Sequence, residues 1–340
     1  MQVARSHAEK ARLKIDWNDP AATVSKLAVI TQTPKEFDFP GIPWPAQFHY
    51  AGPFHDDEGR GLVPFPWEQL TGKPLIYASL GTLVNGLEDV YKHILEAVEP
   101  LKGVQVVLSV GKNVSPENLG RIPSNTIVVR SAPQIELLKR AALCITHAGL
   151  NTVLESLAHG VPMVAIPIGY DQPGTAARIA HHGVGEFMEL DELTTERLRG
   201  LIEKILQDLS YRERADYFRK LISKTRGLDV AADIIEQAFH KYQSEYESRS
   251  GVGGRTRRRR REDKLEDFPP PGWRADGCAA LRSNFHRPFT LWVQLDQADE
   301  CDGRPRSVRA ARLRVQPALS CLSFGARVRR IWTTGNRWRP

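Results

Sequence analysis

The side chains with the clearest chemical purpose fall between Ser131 and Gln172. The run His147-Ala148-Gly149-Leu150-Asn151-Thr152-Val153-Leu154-Glu155 leads from an apolar stretch into a helical pattern. A helix start beside a glycine offers amide N–H groups and roughly half a positive charge, and so attracts phosphate. His147 can add a donor to the same anion. Glu155 lies one helical turn beyond Asn151 on the same face, where its carboxylate can accept hydrogen bonds from a ribose diol. Sixteen residues after Glu155 come Asp171 and Gln172, polar groups suited to several sugar hydroxyls. Each residue also has an ordinary structural role. Asn151 or Thr152 can simply cap a helix, His147 can be a buried structural histidine, and Asp171 can cap a helix with Pro173 in its first turn. Ser79-Leu80-Gly81-Thr82 is a second glycine turn after a strand, and alone it is an ordinary turn.

These residues need a scaffold, and the hydrophobic pattern supplies one. From Lys73 onward, short β-branched runs alternate with longer amphipathic stretches, the pattern of βαβ units. Strands are expected at Leu75 to Leu80, Val104 to Val110, Thr126 to Arg130, Leu143 to Thr146, Pro162 to Ile166 and Val184 to Met188. Helices are expected near 87–98, 134–141, 151–159, 173–182 and 194–207, then a pair at Tyr211 to Thr225 and Leu228 to Glu245 with Gly227 as a break. The fold class is therefore α/β, a Rossmann-like parallel sheet with helices on both faces. In such sheets ligands bind at the carboxyl ends of the strands, where Ser131-Ala132-Pro133-Gln134, His147 and Asp171 all fall. Upstream, Phe37 to Phe65 is rich in Pro, Gly and aromatics and reads as an ordered connection without helical or strand periodicity.

The combination resembles the donor-binding signature of the UDP-glycosyltransferase family, whose members have two Rossmann-like lobes, the GT-B fold. The likeness covers about residues 28 to 240 and is strongest to bacterial enzymes of the zeaxanthin and macrolide glucosyltransferase type, through Asp171-Gln172-Pro173-Gly174 and Ala177-Arg178-Ile179. The resemblance implies that Ser131 and Ala132 hold the uracil, with Gln134 reaching the ribose. It implies that Gly81, Thr82, His147, Gly149, Asn151 and Thr152 hold the diphosphate, Glu155 the ribose hydroxyls, and Asp171 and Gln172 the transferred hexose. Ser131 stands where many members have a tryptophan that stacks on the base, and Leu150 where plant members often have another. The implied reaction is inverting, metal-independent hexosyl transfer from a UDP-sugar, UDP-glucose by preference, to a hydroxyl of a lipophilic or small-molecule acceptor, with no cofactor. The family's catalytic base belongs to the N-terminal acceptor lobe. His7, His49, His55 and His93 sit in no matching motif, so no base is assigned.

Residues 1–70 are accordingly expected to be a remnant of the acceptor lobe with the interlobe linker, 71–246 the donor-binding domain, and 247–340 an Arg-rich, largely disordered tail. The net charge of +7 belongs to that tail: residues 251–340 hold 19 Arg and 1 Lys against 9 acidic residues, leaving −4 for the first 250. The four cysteines form no CxxC pair and no metal-ligand spacing, which favours a reducing compartment. No carboxylate cluster suggests Mg²⁺. With no long apolar span and a charged N-terminus, the expectation is a soluble, cytoplasmic chain, or one peripheral at a membrane surface. Two other readings compete. One is a non-catalytic nucleotide-sugar-binding module, either a degenerate fragment or one subunit of a split transferase whose partner is a separate acceptor-lobe chain. The other is contact with nucleic acid or anionic membrane through Arg255 to Arg261.

Overall fold

The computed structural model describes residues 2–10, 15–17, 24–54, 63–82 and 86–249, with two short strands further on. It opens with helix α1, Gln2–Lys10, followed by strands β1, Val29–Thr31, and β2, Phe48–Tyr50, which pair in parallel. The main sheet follows, from β3 (Leu75–Ser79), β4 (Gln105–Ser109), β5 (Thr126–Val129), β6 (Ala141–Thr146), β7 (Met163–Ala165) and β8 (Gly185–Phe187). Its order is β5-β4-β3-β6-β7-β8, and every pair is parallel. Chain order therefore runs outward one way from β3 to β5 and then outward the other way from β6 to β8. The reversal opens a crevice at the carboxyl ends of the adjacent strands β3 and β6.

The helices are α2 (Glu88–Val98), α3 (Gln134–Leu138), α4 (Leu150–Ala158), α5 (Gln172–His181), α6 (Thr195–Gln207), α7 (Leu209–Ile222) and α8 (Gly227–Arg249). Side chains alternate across the strands, so two cores form. Ile76, Ala78, Leu108, Ile145 and Val164 pack under α2 and α6 on one face. Tyr77, Val107, Cys144, Met163 and Ala165 pack under α3, α4, α5 and α7 on the other. Burial on both faces explains why the centres of β3 and β4, Leu75 to Ala78 and Val106 to Leu108, show no polar alternation. Thr194 accepts the Arg197 N–H at 3.2 Å to cap α6, and Asp208 accepts the Ser210 N–H at 2.9 Å to cap α7.

The six expected strands and seven expected helices of this body are all present, with ends that differ by a few residues. One expectation needs correction: the 37–65 connection contains β2, whose three residues are too few to show a period of two. Residues 55–62 of that connection lie outside the described residues. Of the tail expected over 247–340, residues 247–249 belong to α8 and β9, Trp292–Leu295, pairs antiparallel to β10, Leu313–Gln316; the rest lies outside the described residues.

A third core ties the 24–54 segment to helix α8. Ala231, Ile235 and Ala238, at helical spacing on α8, close over Ala28, Ile30 and Ala51. Gly227 is needed there for close approach, since a β-carbon on it would stand 2.1 Å from the Pro53 carbonyl oxygen. A second tie is Asp38, whose side chain is only 4% exposed. It accepts from Tyr50 Oη at 2.6 Å, Phe39 N at 2.9 Å, Trp44 Nε1 at 3.2 Å, and Arg178 Nε and Nη2 at 2.9 and 2.7 Å. Burial alone would raise this carboxyl, but the hydrogen bonds from Tyr50, Arg178 and Phe39 with the guanidinium charge hold it below the usual carboxylate range. The pair clamps the 38–50 segment onto α5. Arg178→Ala strands that carboxylate and is expected to cost about 3 kcal/mol, read as a lower urea midpoint with unchanged slope.

Candidate functional site

The crevice between β3 and β6 is lined by the two glycine turns that follow these strands. His147 leaves β6 and lays its ring between them. A β-carbon on Gly81 would meet His147 Cε1 at 2.6 Å and Nε2 at 2.7 Å, and one on Gly149 would meet Nε2 at 2.5 Å and Cε1 at 2.7 Å. Only glycine at both positions lets the imidazole edge sit at the crevice. Its Nδ1 is buried without a hydrogen-bond partner. Burial pushes the imidazole down to about 4, against a smaller upward pull from the Ser79 backbone, so the ring is neutral at pH 7.

Ahead of the ring, α4 begins at Leu150 with Gly149 as its N-cap residue, and no side chain caps it. The start of this helix thus faces the crevice with its N–H groups uncovered by any capping side chain. Two non-glycine residues among those described have left-handed backbone, Ala148 at φ 62 and Tyr170 at φ 62. They lie in the loops after β6 and β7. Such strain, on the order of 1–3 kcal/mol each, collects where a loop must hold a set shape.

A second group of polar side chains joins the loop after β5 to α4. Gln134 Nε2 donates to Glu155 Oε2 at 2.5 Å and to Thr152 Oγ1 at 3.4 Å, while Gln134 Oε1 accepts from Tyr77 Oη at 3.0 Å. Glu155 is 4% exposed, and Tyr77, fully buried, has its phenol raised by that burial. Two sequence-selected residues, Gln134 and Glu155, thus bond directly, and Tyr77, which sequence reading passed over, holds Gln134 from the other side.

The last cluster lies after β7. Asp171 is the N-cap residue of α5 but its side chain makes no capping bond and stands exposed. Gln172 does not project beside it. It is 6% exposed, and its Oε1 accepts from Ile168 N at 2.8 Å and Gly169 N at 3.0 Å, bracing the loop that carries Asp171. Thr82 and Ser131 are exposed on the loops after β3 and β5, beside half-buried Ala132.

Two further residues contribute that no local pattern marks. Gln32, just past β1, donates from Nε2 to Asn151 Oδ1 at 2.7 Å. Arg178, noted in the sequence only as part of a run, anchors α5 through Asp38. Of the histidines left without a role, His93 pairs through Nδ1 with Thr195 Oγ1 at 2.9 Å between α2 and α6, His49 lies in β2 and His7 in α1, and His55 lies outside the described residues. Among the described residues no three His, Cys, Asp or Glu side chains converge as metal ligands would, and no helix is long and apolar enough to cross a membrane.

A doubly wound parallel sheet, with a neutral histidine and an uncapped helix start at its reversal, is a Rossmann-like lobe of the GT-B kind. Comparison with known proteins makes the class specific. The family described as "UDP-glucoronosyl and UDP-glucosyl transferase" matches residues 37–232. This chain belongs to that family. It is 35% identical over 218 residues to the zeaxanthin glucosyltransferase of Pantoea ananas, covering 63% of this chain and 50% of that one. It is 33% identical over 229 residues to the NDP-glycosyltransferase YjiC of Bacillus subtilis, covering 65% and 57%. The chain thus spans about half the length of the curated relatives it matches. Among solved structures, the calicheamicin glycosyltransferase superposes with a TM-score of 0.57 at 24% identity, over 71% of this chain and 60% of that one, a likeness of fold alone. The glycotransferase of kitacinnamycin gives 0.53 at 27%, over 62% and 54%.

The clasp around His147 has a measurable signature. In an NMR pH titration of the folded chain, His147 is expected to titrate near 4 rather than at the usual 6.5. Because the folded state disfavours the charged ring, the share of stability that rests on neutral His147 is complete above pH 6.5 and is withdrawn as the pH falls toward 4. Gly149→Ala, at an ordinary φ of −62, should expel the ring and return its titration toward 6.5. An unchanged His147 titration in that variant would show that the clasp does not hold the ring.

Proposed function

We propose that this chain is the donor-binding half of a UDP-sugar-dependent hexosyltransferase. The observation that carries the reading is the His147 ring held by Gly81 and Gly149 against the open start of α4, at the reversal of the sheet. In this reading the diphosphate lies there, against Gly81, Thr82, His147, Gly149, Asn151 and Thr152. Ser131 and Ala132 take the uracil. Gln134 and Glu155 take the ribose, a role supported by their direct hydrogen bond, which lets one hydroxyl pair meet both a donor and an acceptor. Asp171, exposed on a loop braced by Gln172, takes the hexose, with glucose favoured.

Transfer is proposed to be inverting and independent of metal. As the acceptor hydroxyl attacks the anomeric carbon, the bond to UDP breaks and negative charge grows on the diphosphate. Fixed amides and the helix start stabilise that charge at no reorganisation cost. The neutral His147 contributes a ring N–H, and the arriving anion raises its proton affinity. The hydroxyl also needs a general base, which we assign to an acceptor lobe outside residues 71–246, in the same polypeptide or in a separate acceptor-lobe chain. The acceptor is a lipophilic or small molecule. A second reading, a nucleotide-sugar-binding module without transfer, is favoured by the same observation, since every residue assigned here binds donor and none activates acceptor. Arg255 to Arg261, the segment proposed for nucleic acid or membrane contact, lie outside the described residues.

Calorimetric titration of the full chain with UDP, ADP and UDP-glucose tests the donor site. Selective UDP binding is expected, with a ligand-dependent rise in melting temperature. Asp171→Ala should weaken UDP-glucose by about tenfold or more and UDP little, while His147→Ala should weaken both. Equal loss for both ligands in the Asp171 variant would remove its sugar role, and absence of any UDP binding would remove the donor site. Sugar transfer restored by adding a separate acceptor lobe would decide for the enzyme over the binding module.

A further inference from the structure

Tyr77 brings a hydroxyl to the candidate site from inside the sheet. It stands in β3, between β4 and β6, is 2% exposed, and shares a core with Val107, Cys144 and Met163. Its partner Gln134 opens α3, a helix of five residues with no side-chain cap, on the loop after β5. Glu155 belongs to α4, which follows β6 on the other side of β3. The hydrogen bonds among the three have one consistent direction. A carboxylate accepts and cannot donate, so the NH₂ of Gln134 must face Glu155 Oε2, at 2.5 Å. That leaves the Gln134 carbonyl toward Tyr77, whose Oη must donate to it, at 3.0 Å. Thr152 Oγ1, 3.4 Å from the same NH₂, agrees with that order. Burial raises the phenol above its usual range, so Tyr77 keeps the proton it donates. A buried tyrosine hydroxyl usually needs only some partner. Here the partner is one of the two side chains proposed for the ribose, and among the described residues no other side-chain bond ties Gln134 to the sheet.

We infer that Tyr77 is a positioning residue for the donor's ribose, anchoring the Gln134–Glu155 pair to the centre of the sheet in the arrangement that meets the ribose hydroxyls. The inference rests on the donor-site reading above and carries it one residue further, into the core. Without the phenol oxygen the Gln134 carbonyl loses its partner, and the pair has to be ordered when the ligand arrives rather than before.

The test compares UDP with 2′,3′-dideoxy-UDP, which lacks both ribose hydroxyls, by calorimetry on the full chain. The unsubstituted chain is expected to prefer UDP by about tenfold or more. Tyr77→Phe, which removes one oxygen and keeps the ring, is expected to raise the Kd for UDP about fivefold and to leave that for the dideoxy nucleotide within about twofold. Gln134→Met, of similar length and without an amide, should lose at least as much toward UDP. Tyr77→Phe added to Gln134→Met should cost nothing further, because the hydroxyl acts through Gln134. A tyrosine that only supports the core would weaken both nucleotides alike, or add its own loss to that of Gln134→Met. Either result, or unchanged UDP affinity in Tyr77→Phe, would overturn the positioning role. If Tyr77→Phe fails to fold by circular dichroism, Gln134→Met decides alone, and a preserved preference for UDP there overturns the role. An unsubstituted chain that binds the two nucleotides equally would overturn the ribose assignment itself, and one that binds neither would overturn the donor site.

Discussion

A sheet whose central strands are buried on both faces has no room for polar chemistry along their length. The centres of β3 and β4, Leu75 to Ala78 and Val106 to Leu108, carry no charge because helices cover them above and below, and any charge there would be desolvated without a partner. Functional groups are thereby confined to strand ends, and the reversal of strand order decides which end can hold a ligand. Everything else about the candidate site follows from that confinement. Two glycine turns end adjacent strands, a histidine fills the space their missing side chains leave, and a helix begins where the ring points.

The Rossmann-like body is not self-sufficient. Gln32 reaches α4, Asp38 grips α5 through Arg178, and Ala28, Ile30 and Ala51 rest on α8. Residues that precede the Rossmann-like body thus touch both α4 and the helix behind the loop of Asp171. The clamp at Asp38 is a buried ion pair with every bond satisfied, and such pairs specify a geometry more than they add net stability. Here the geometry specified is the seat of the 38–50 segment against the site.

Much of this was legible from residue order. The short apolar runs marked the strands because double burial needs no polar alternation, and His147 to Glu155 was legible because a loop and a helix start are contiguous in sequence. The bond between Gln134 and Glu155 was half-visible, both residues being chosen but not their contact. What stayed hidden depends on distance or on backbone shape. Asp38 and Arg178 are 140 residues apart, Gln32 and Asn151 are 119, and no periodicity announces either pair. Ala148 and Tyr170 adopt left-handed backbone without the glycine that would advertise it. Gln172 reads as a projecting polar group, yet its carbonyl is spent on two N–H groups of its own loop, a choice that only the turn's geometry makes.

The third core has a consequence for the order in which the chain takes shape. Its two sides, at Ala28 to Ala51 and Ala231 to Ala238, are separated by roughly 200 residues, whereas each βαβ unit closes over a few tens. On a ribosome the sheet can assemble as its strands emerge, and Phe37 can seat against α7, but the face made by Ala28, Ile30 and Ala51 stays uncovered until α8 has been made. Until then Gly52 and Pro53 wait for Gly227. The third core is therefore the last of the three to be completed, and it closes only once synthesis has passed Ala238.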